Sequence, residues 1–277
     1  MRVFLLALVF STTAVAATPS LKQREDPFYQ GPSAEFTLSG TSNSVSNNTA
    51  TVFQGQYGWD TGISIQLLVP ILVSDSNPAN PNNTFPRIGG GLNGRVEADG
   101  LFRAWGDTYD YLGFNVGVGF PWQSTAVEQN GDQDSWLLSL AVFGRVDWDW
   151  IALEGRLNDS PSFPAKHAAN NVEVYQDVTN SVSISGTAFV YPYKWLAPFF
   201  AYTEVFPSAV STSIDQGLGY FTLNQTSIGR TRTVSMGAEL APVNVPVLLT
   251  FEFNVTPLTP AAPGTQYSGV GKVRWLF

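Results

Sequence analysis

Arg95, Glu97, Asp99 and Arg103 fall on one parity of a single segment, and Arg145, Glu154 and Arg156 repeat that arrangement on two later ones. In an extended chain, residues two apart share a face, so these charges would stand on one side of a sheet. A wall of this kind supports two chemistries. Around water, it lines a passage and sets the field that a crossing solute feels. Against itself, it pairs into a network that seals the interior. The spacing fits both. Gln66, Glu239, Glu252, Lys272 and Arg274 share the polar parity on their own segments, with Gln54, Gln56, Ser64, Asn115, Ser139, Ser235 and Thr250. Leu68, Leu101, Phe143 and Phe189 are apolar intrusions on it, placed either to meet a hydrophobic solute or to pack together.

Other chemistries find less support. The chain has one histidine and no cysteine, so thiol catalysis, disulfides and thiolate metal sites are excluded. His167 lies in a Ser- and Pro-rich link rather than on a strand where a Ser–His hydrolase on a sheet wall would need it, and pairing it with Asp159 or Asp177 at a rim is a weak alternative. We expect no catalytic residue, no metal and no cofactor. Gly89, Gly91 and Gly94 match GxGxxG, but a strand follows where a dinucleotide site needs a helix. Asn130 to Asp134 lacks the terminal glutamate of a calcium loop. A net charge of −8 argues against a nucleic-acid partner, which would require clustered Lys and Arg.

Period-two alternation predicts the elements that would carry the charged wall. About twelve strands are expected, at 34–42, 49–58, 61–71, 91–104, 110–121, 135–147, 150–158, 181–191, 195–206, 231–241, 246–256 and 267–277. The parity opposite the charges is apolar: Ile63, Ile65 and Leu67; Phe114, Val116 and Val118; Leu140, Val142 and Val146; Leu153 and Leu157; Met236; Val247, Leu249, Phe251 and Phe253. Arg or Lys at a lipid midplane costs about 2–4 kcal/mol, so this sorting points to a closed antiparallel β-barrel with lipid outside and a charged lumen inside. Charged residues make up only 13% of the chain, against about 25% in typical soluble domains.

The links alternate in length, as in outer-membrane barrels with short periplasmic turns and long outer loops. Short links are expected at 59–60, 105–109, 148–149, 192–194 and 242–245; long ones, rich in Asn, Ser, Pro and Gly, at 73–90, 122–134, 158–180, 207–230 and 257–266. Aromatics mark membrane interfaces, and Trp59, Trp105, Trp148, Trp150, Trp195 and Trp275, with Tyr57, Tyr109, Tyr191 and Tyr193, gather at the short-link end. Trp122 and Trp136 mark the other rim. The last segment alternates to a terminal aromatic, Phe277, resembling the signal read by the barrel assembly machinery. At the start, Arg2, the apolar run 3–10 and Ala14-Val15-Ala16 predict a cleavable signal peptide over 1–16. A polar periplasmic leader is expected over 17–33 and the barrel over 34–277.

The run Gln56-Tyr57-Gly58-Trp59-Asp60-Thr61-Gly62-Ile63-Ser64-Ile65, ending at Val69-Pro70, resembles a hairpin of the MetA-pathway-of-phenol-degradation family of outer-membrane transporters. Gly91-Leu92-Asn93-Gly94 and the stretch from Leu112 to Pro121 are similar to segments of the same family. The resemblance implies a barrel that passes small organic compounds and supplies no catalytic or binding residues. The expectation is an outer-membrane channel or facilitator, not an enzyme, for small, organic or hydrophobic solutes; its partners are outer-membrane lipid, the solute and the assembly machinery. The alternative is a non-conducting barrel whose long loops 158–180 and 207–230 bind an external partner.

Overall fold

In the computed structural model the described residues are 21–42, 47–76, 86–87, 94–104, 110–120, 136–163, 165–169, 172–176, 180–207, 210–215, 220–226, 230–257 and 265–277. Twelve long strands form the wall: β1 (Gly31–Ser42), β2 (Asn47–Gly58), β3 (Ile63–Ser76), β4 (Gly94–Ala104), β5 (Tyr111–Phe120), β6 (Leu137–Trp148), β7 (Ile151–Asp159), β8 (Ser181–Val190), β9 (Leu196–Pro207), β10 (Thr231–Leu240), β11 (Val247–Pro257) and β12 (Thr265–Leu276). Each pairs antiparallel with its neighbours in sequence, and β1 pairs with β12 from Ser33↔Leu276 to Ser42↔Tyr267. The ring therefore has no free edge, the condition for strands to cross a bilayer.

The side-chain alternation creates the wall. On β3, Ile63, Ile65 and Leu67 are exposed outward while Ser64 is fully buried inward; β5 alternates without a break, with Phe114, Val116 and Val118 out and Asn115 in. Val247, expected outside, is instead buried beside the link 241–246. Two bulges adjust the wall. One, between Thr51 and Val52, leaves Ile71 unpaired beside Pro70, relieving a position where proline has no N–H for the ladder. The other, between Leu101 and Arg103, leaves Phe102 unpaired and sets Arg103 opposite Leu112.

Short links gather at one end. In the first, the Trp59 N–H donates to Ile63 O at 2.8 Å, and Gly62 adopts φ 74° with the Leu101 side chain pressed where a Cβ would sit. Only glycine meets both demands. Both ends of the polypeptide ring, Gly31 and Phe277, lie at this same end, where the Phe277 N–H donates to Pro32 O at 3.0 Å.

Two regions differ from expectation. Strand β1 begins at Gly31, so 31–33 of the expected leader belong to the wall. Residues expected as long loops also contain strands: β3 runs on to Ser76 and pairs with Pro86–Arg87, and Ala165–Ala169, Val172–Gln176, Val210–Asp215 and Tyr220–Thr226 form a separate four-stranded sheet. That sheet joins two links far apart in sequence, a pairing that local periodicity does not contain. The expected signal peptide, Trp105, Tyr109, Trp122, Asp177, Gly89, Gly91 and 130–134 lie outside the described residues, as do the side chains of Arg103 and His167.

Candidate functional site

The lumen is occupied at its short-turn end by the segment just before β1. Leu21–Glu25 is one helical turn, stopped by the Asp26-Pro27 step, because proline disfavours helical geometry in the residue before it. Asp26 Oδ1 accepts the Phe28 N–H at 2.8 Å and fixes the exit. Leu21 inserts among Ala152, Phe189, Ala197, Ala241 and Leu248. Phe28 enters a second apolar nest, stacked on Phe143 at 5.9 Å and edge-on to Tyr111 at 5.4 Å. Phe143 and Phe189, the apolar intrusions of the polar parity, are thus the seats of this segment.

Ionic contacts complete the docking. Arg145, 3% exposed at its side chain, donates from Nη2 to Glu25 Oε2 at 2.8 Å and to Asp147 Oδ2 at 3.2 Å, and also contacts the Tyr191 hydroxyl. That hydroxyl donates to Glu25 Oε2 at 2.6 Å. Lys22 pairs with Asp147, and the Asp147 N–H donates to Asp110 Oδ1 at 2.6 Å. The Pro27 carbonyl accepts from Gln56 Nε2 at 2.7 Å. Burial of Asp26 pushes its carboxyl above the ordinary value, opposed by the Phe28 N–H and by the charges of Arg274 and Arg145.

A second cluster stands on β3 to β5. Asp99 accepts from Gln66 Nε2 and Asn115 Nδ2, each at 2.8 Å, and from Ser64 Oγ at 3.4 Å; Glu97 accepts from Asn115 at 3.2 Å and Gln66 at 3.4 Å. Gln54 donates to Gln66 Oε1 at 2.5 Å. Two carboxylates are thereby held by neutral donors, and among the described residues the cation within 4 Å of either is Arg95, at 3.8 Å from Glu97. Arg156 lies over the Phe143 ring at 5.5 Å. Between these groups and the docked segment is a cavity of about 190 Å³, lined among others by Gln54, Gln66, Asp99, Glu154, Arg156 and Arg274.

The remaining sequence-singled residues are dispersed. Glu239 accepts from Thr250 Oγ1 at 3.4 Å, Arg274 donates to Gln56 Oε1 at 3.0 Å, and Glu252 and Lys272 stand half-buried on adjacent β11 and β12. Trp59, Trp148, Trp150, Trp195 and Trp275 are exposed at the short-turn end, and Trp195 stacks on Tyr193 at 5.5 Å. Tyr191, grouped with that girdle by its position in the chain, is instead turned into the lumen. Phe277 is exposed. Sequence reasoning missed Lys22, Glu25, Phe28, Asp147 and Tyr191. Asp147 and Tyr191 carry a signal, since they share parity with Arg145 and Phe189; the leader residues carry none, because one helical turn shows no periodicity.

A closed ring with an apolar exterior, an aromatic belt and a polar lumen defines a transmembrane β-barrel of outer-membrane type, and its place is the outer membrane. No family model matches the chain, and no curated protein matches it in sequence. Solved structures match in fold. An outer membrane channel from Pseudomonas putida F1 is 14% identical with a TM-score of 0.60, covering 89% of this chain and 94% of its own. The NanC porin is 11% identical with a TM-score of 0.54, covering 88% and 100%. The transport unit of the autotransporter AIDA-I from Escherichia coli is 11% identical with a TM-score of 0.51, covering 90% and 91%.

Proposed function

We propose that this chain is a passive channel for small, organic solutes, with its short turns in the periplasm and a lumen narrowed there by the leader. The observation that carries this reading is the polar cavity above the docked segment, where Arg156 lies over the Phe143 ring and Asp99 is held by neutral donors. A sealed network would pair those two ions with each other, since separated charges in a dry interior are costly. Twelve strands fall between barrels filled by side chains and those with open channels, so a passage that one short segment can narrow suits the size. Under this reading Arg95, Glu97, Asp99, Arg156, Glu252 and Lys272 face the solute, whereas Arg145 anchors the leader. Phe277, exposed at the end of the closing strand, would present the assembly signal; Phe277→Ser should lower the amount of folded barrel in membranes, and an unchanged amount would remove that role.

Purified protein in planar bilayers should give discrete ion currents, larger when 17–30 are deleted. A folded barrel silent in both forms would favour the second reading, a non-conducting scaffold. One observation supports that alternative: the four-stranded sheet built from the two long links is an ordered platform for an external partner.

A further inference from the structure

The cavity above the leader has a polarity of its own. On one side, the Asp99 carboxylate is held by Gln66, Asn115 and Ser64, none of which carries charge. On another, the Arg156 guanidinium rests on the face of Phe143 and makes no ion pair within 4 Å among the described residues. Stacking on an aromatic ring satisfies the face of a guanidinium and leaves its edge donors free for a planar anion. Both groups border the same space of about 190 Å³, room for a molecule of a few heavy atoms. A bound anion alone would meet Arg156 and Arg274 but face Asp99 and Glu154; a bound cation alone would meet Asp99 and Glu154 but face Arg156 and Arg274.

Resting on the reading of the lumen as a solute path, we propose that this cavity is a binding subsite for small zwitterions. The carboxylate end of the solute sits at Arg156 and its ammonium end at Asp99. Such a molecule satisfies both fixed charges at once, while a singly charged molecule of equal size leaves one of them facing a methyl or a like charge. Phe143 and Tyr111, also on the lining, give the space between the two ends an apolar border. Complementary placement of opposite potentials gives selectivity more than raw affinity, which suits a site that must release its occupant.

Calorimetric titration of the full-length protein in detergent tests this with 4-aminobutyrate, butyrate and butylamine at neutral pH. The zwitterion should bind tightest. Arg156→Gln should weaken it about tenfold, the loss of one charge-assisted hydrogen bond, and remove its advantage over butylamine. Asp99→Asn should weaken it similarly and remove its advantage over butyrate. Arg156→Lys, which keeps the charge without the stacking plane, should recover part of the affinity, and gel mobility of unheated protein checks that each variant is folded. Equal affinity for the three probes, no binding by any of them, or a preference that survives both substitutions would overturn the site. Selective binding by a protein that passes no current in bilayers would uphold the subsite and overturn the passage; current without selective binding would do the reverse.

Discussion

The two halves of the lumen handle the same residue types in opposite ways. At the short-turn end Arg145 is 3% exposed and has three partners, Glu25, Asp147 and Tyr191, two of them on other elements. Toward the long-loop end Arg95 is 43% exposed, with one carboxylate at 3.8 Å. Both sit on the inward parity of a barrel strand. The difference lies in what meets each charge: a docked segment brings Glu25 and Lys22 to the first, while among the described residues the second has only Glu97 of its own strand within 4 Å. Inward charge is therefore not one functional category, because a buried, paired ion is structural and an exposed one is free to act on a solute.

Removing Arg145 should give the largest effect. Arg145→Met strands the buried carboxylate of Glu25 and leaves Asp147 with Lys22 alone, and breaking a buried pair from one side costs about 3–5 kcal/mol. Urea unfolding in vesicles would show it as a lowered midpoint, and proteolysis as clipping of the leader. Adding Glu25→Gln to the same protein, with the Lys22–Asp147 pair left intact, should restore part of the loss. A single variant as stable as the parent would mean that the two halves do not differ in kind.

The contrasting variant is Arg95→Gln. An ion pair this open contributes little, so stability should change by no more than about 0.5 kcal/mol. Reversal potential under a salt gradient should nevertheless move toward cations, because one positive charge has left the lumen wall. The comparison sharpens if Arg145→Met lowers stability without that shift, and fails if Arg95→Gln alters stability while leaving selectivity unchanged.

The wall was legible because it is written locally. On β5 the alternation of Phe114, Asn115, Val116, Gly117 and Val118 states which side meets lipid, and the links between strands state which end is which. Strand number, closure and the outward set apart from Val247 followed from these. The bulge at Phe102 marks where that reasoning stops: a single extra residue reverses parity without any change in composition, and Arg103 lies just beyond it. The docked leader was not legible at all, since Glu25 meets Arg145 across 120 positions of chain and a single helical turn carries no period. Phe143 and Phe189 were the available clue. Two large apolar side chains facing a polar lumen needed something to cover them, and the covering groups, Phe28 and Leu21, lay in the segment read only as polar. The long-link sheet escaped for the same reason, its strands being matched across a distance that no window spans.

The smallest expected effect concerns acid and the leader alone. Burial holds the Asp26 carboxyl above its ordinary value, so the docked state keeps that proton more tightly than the undocked state does. Docking is then favoured fully below the ordinary value, 3.8, and loses that contribution as pH rises through the raised one; above it the penalty stays constant. The informative quantity is the difference from Asp26→Asn, which leaves every other charge at this end in place. That variant keeps the Oδ1 acceptor for the Phe28 N–H and removes the charge. Hydrogen exchange of 21–30 in the parent should speed up between pH 3.8 and neutrality more than in Asp26→Asn, and the variant should dock more firmly at neutral pH. Identical pH profiles for the two proteins would show that Asp26 is solvated in the docked state, and would separate it from the buried ion pairs around Arg145.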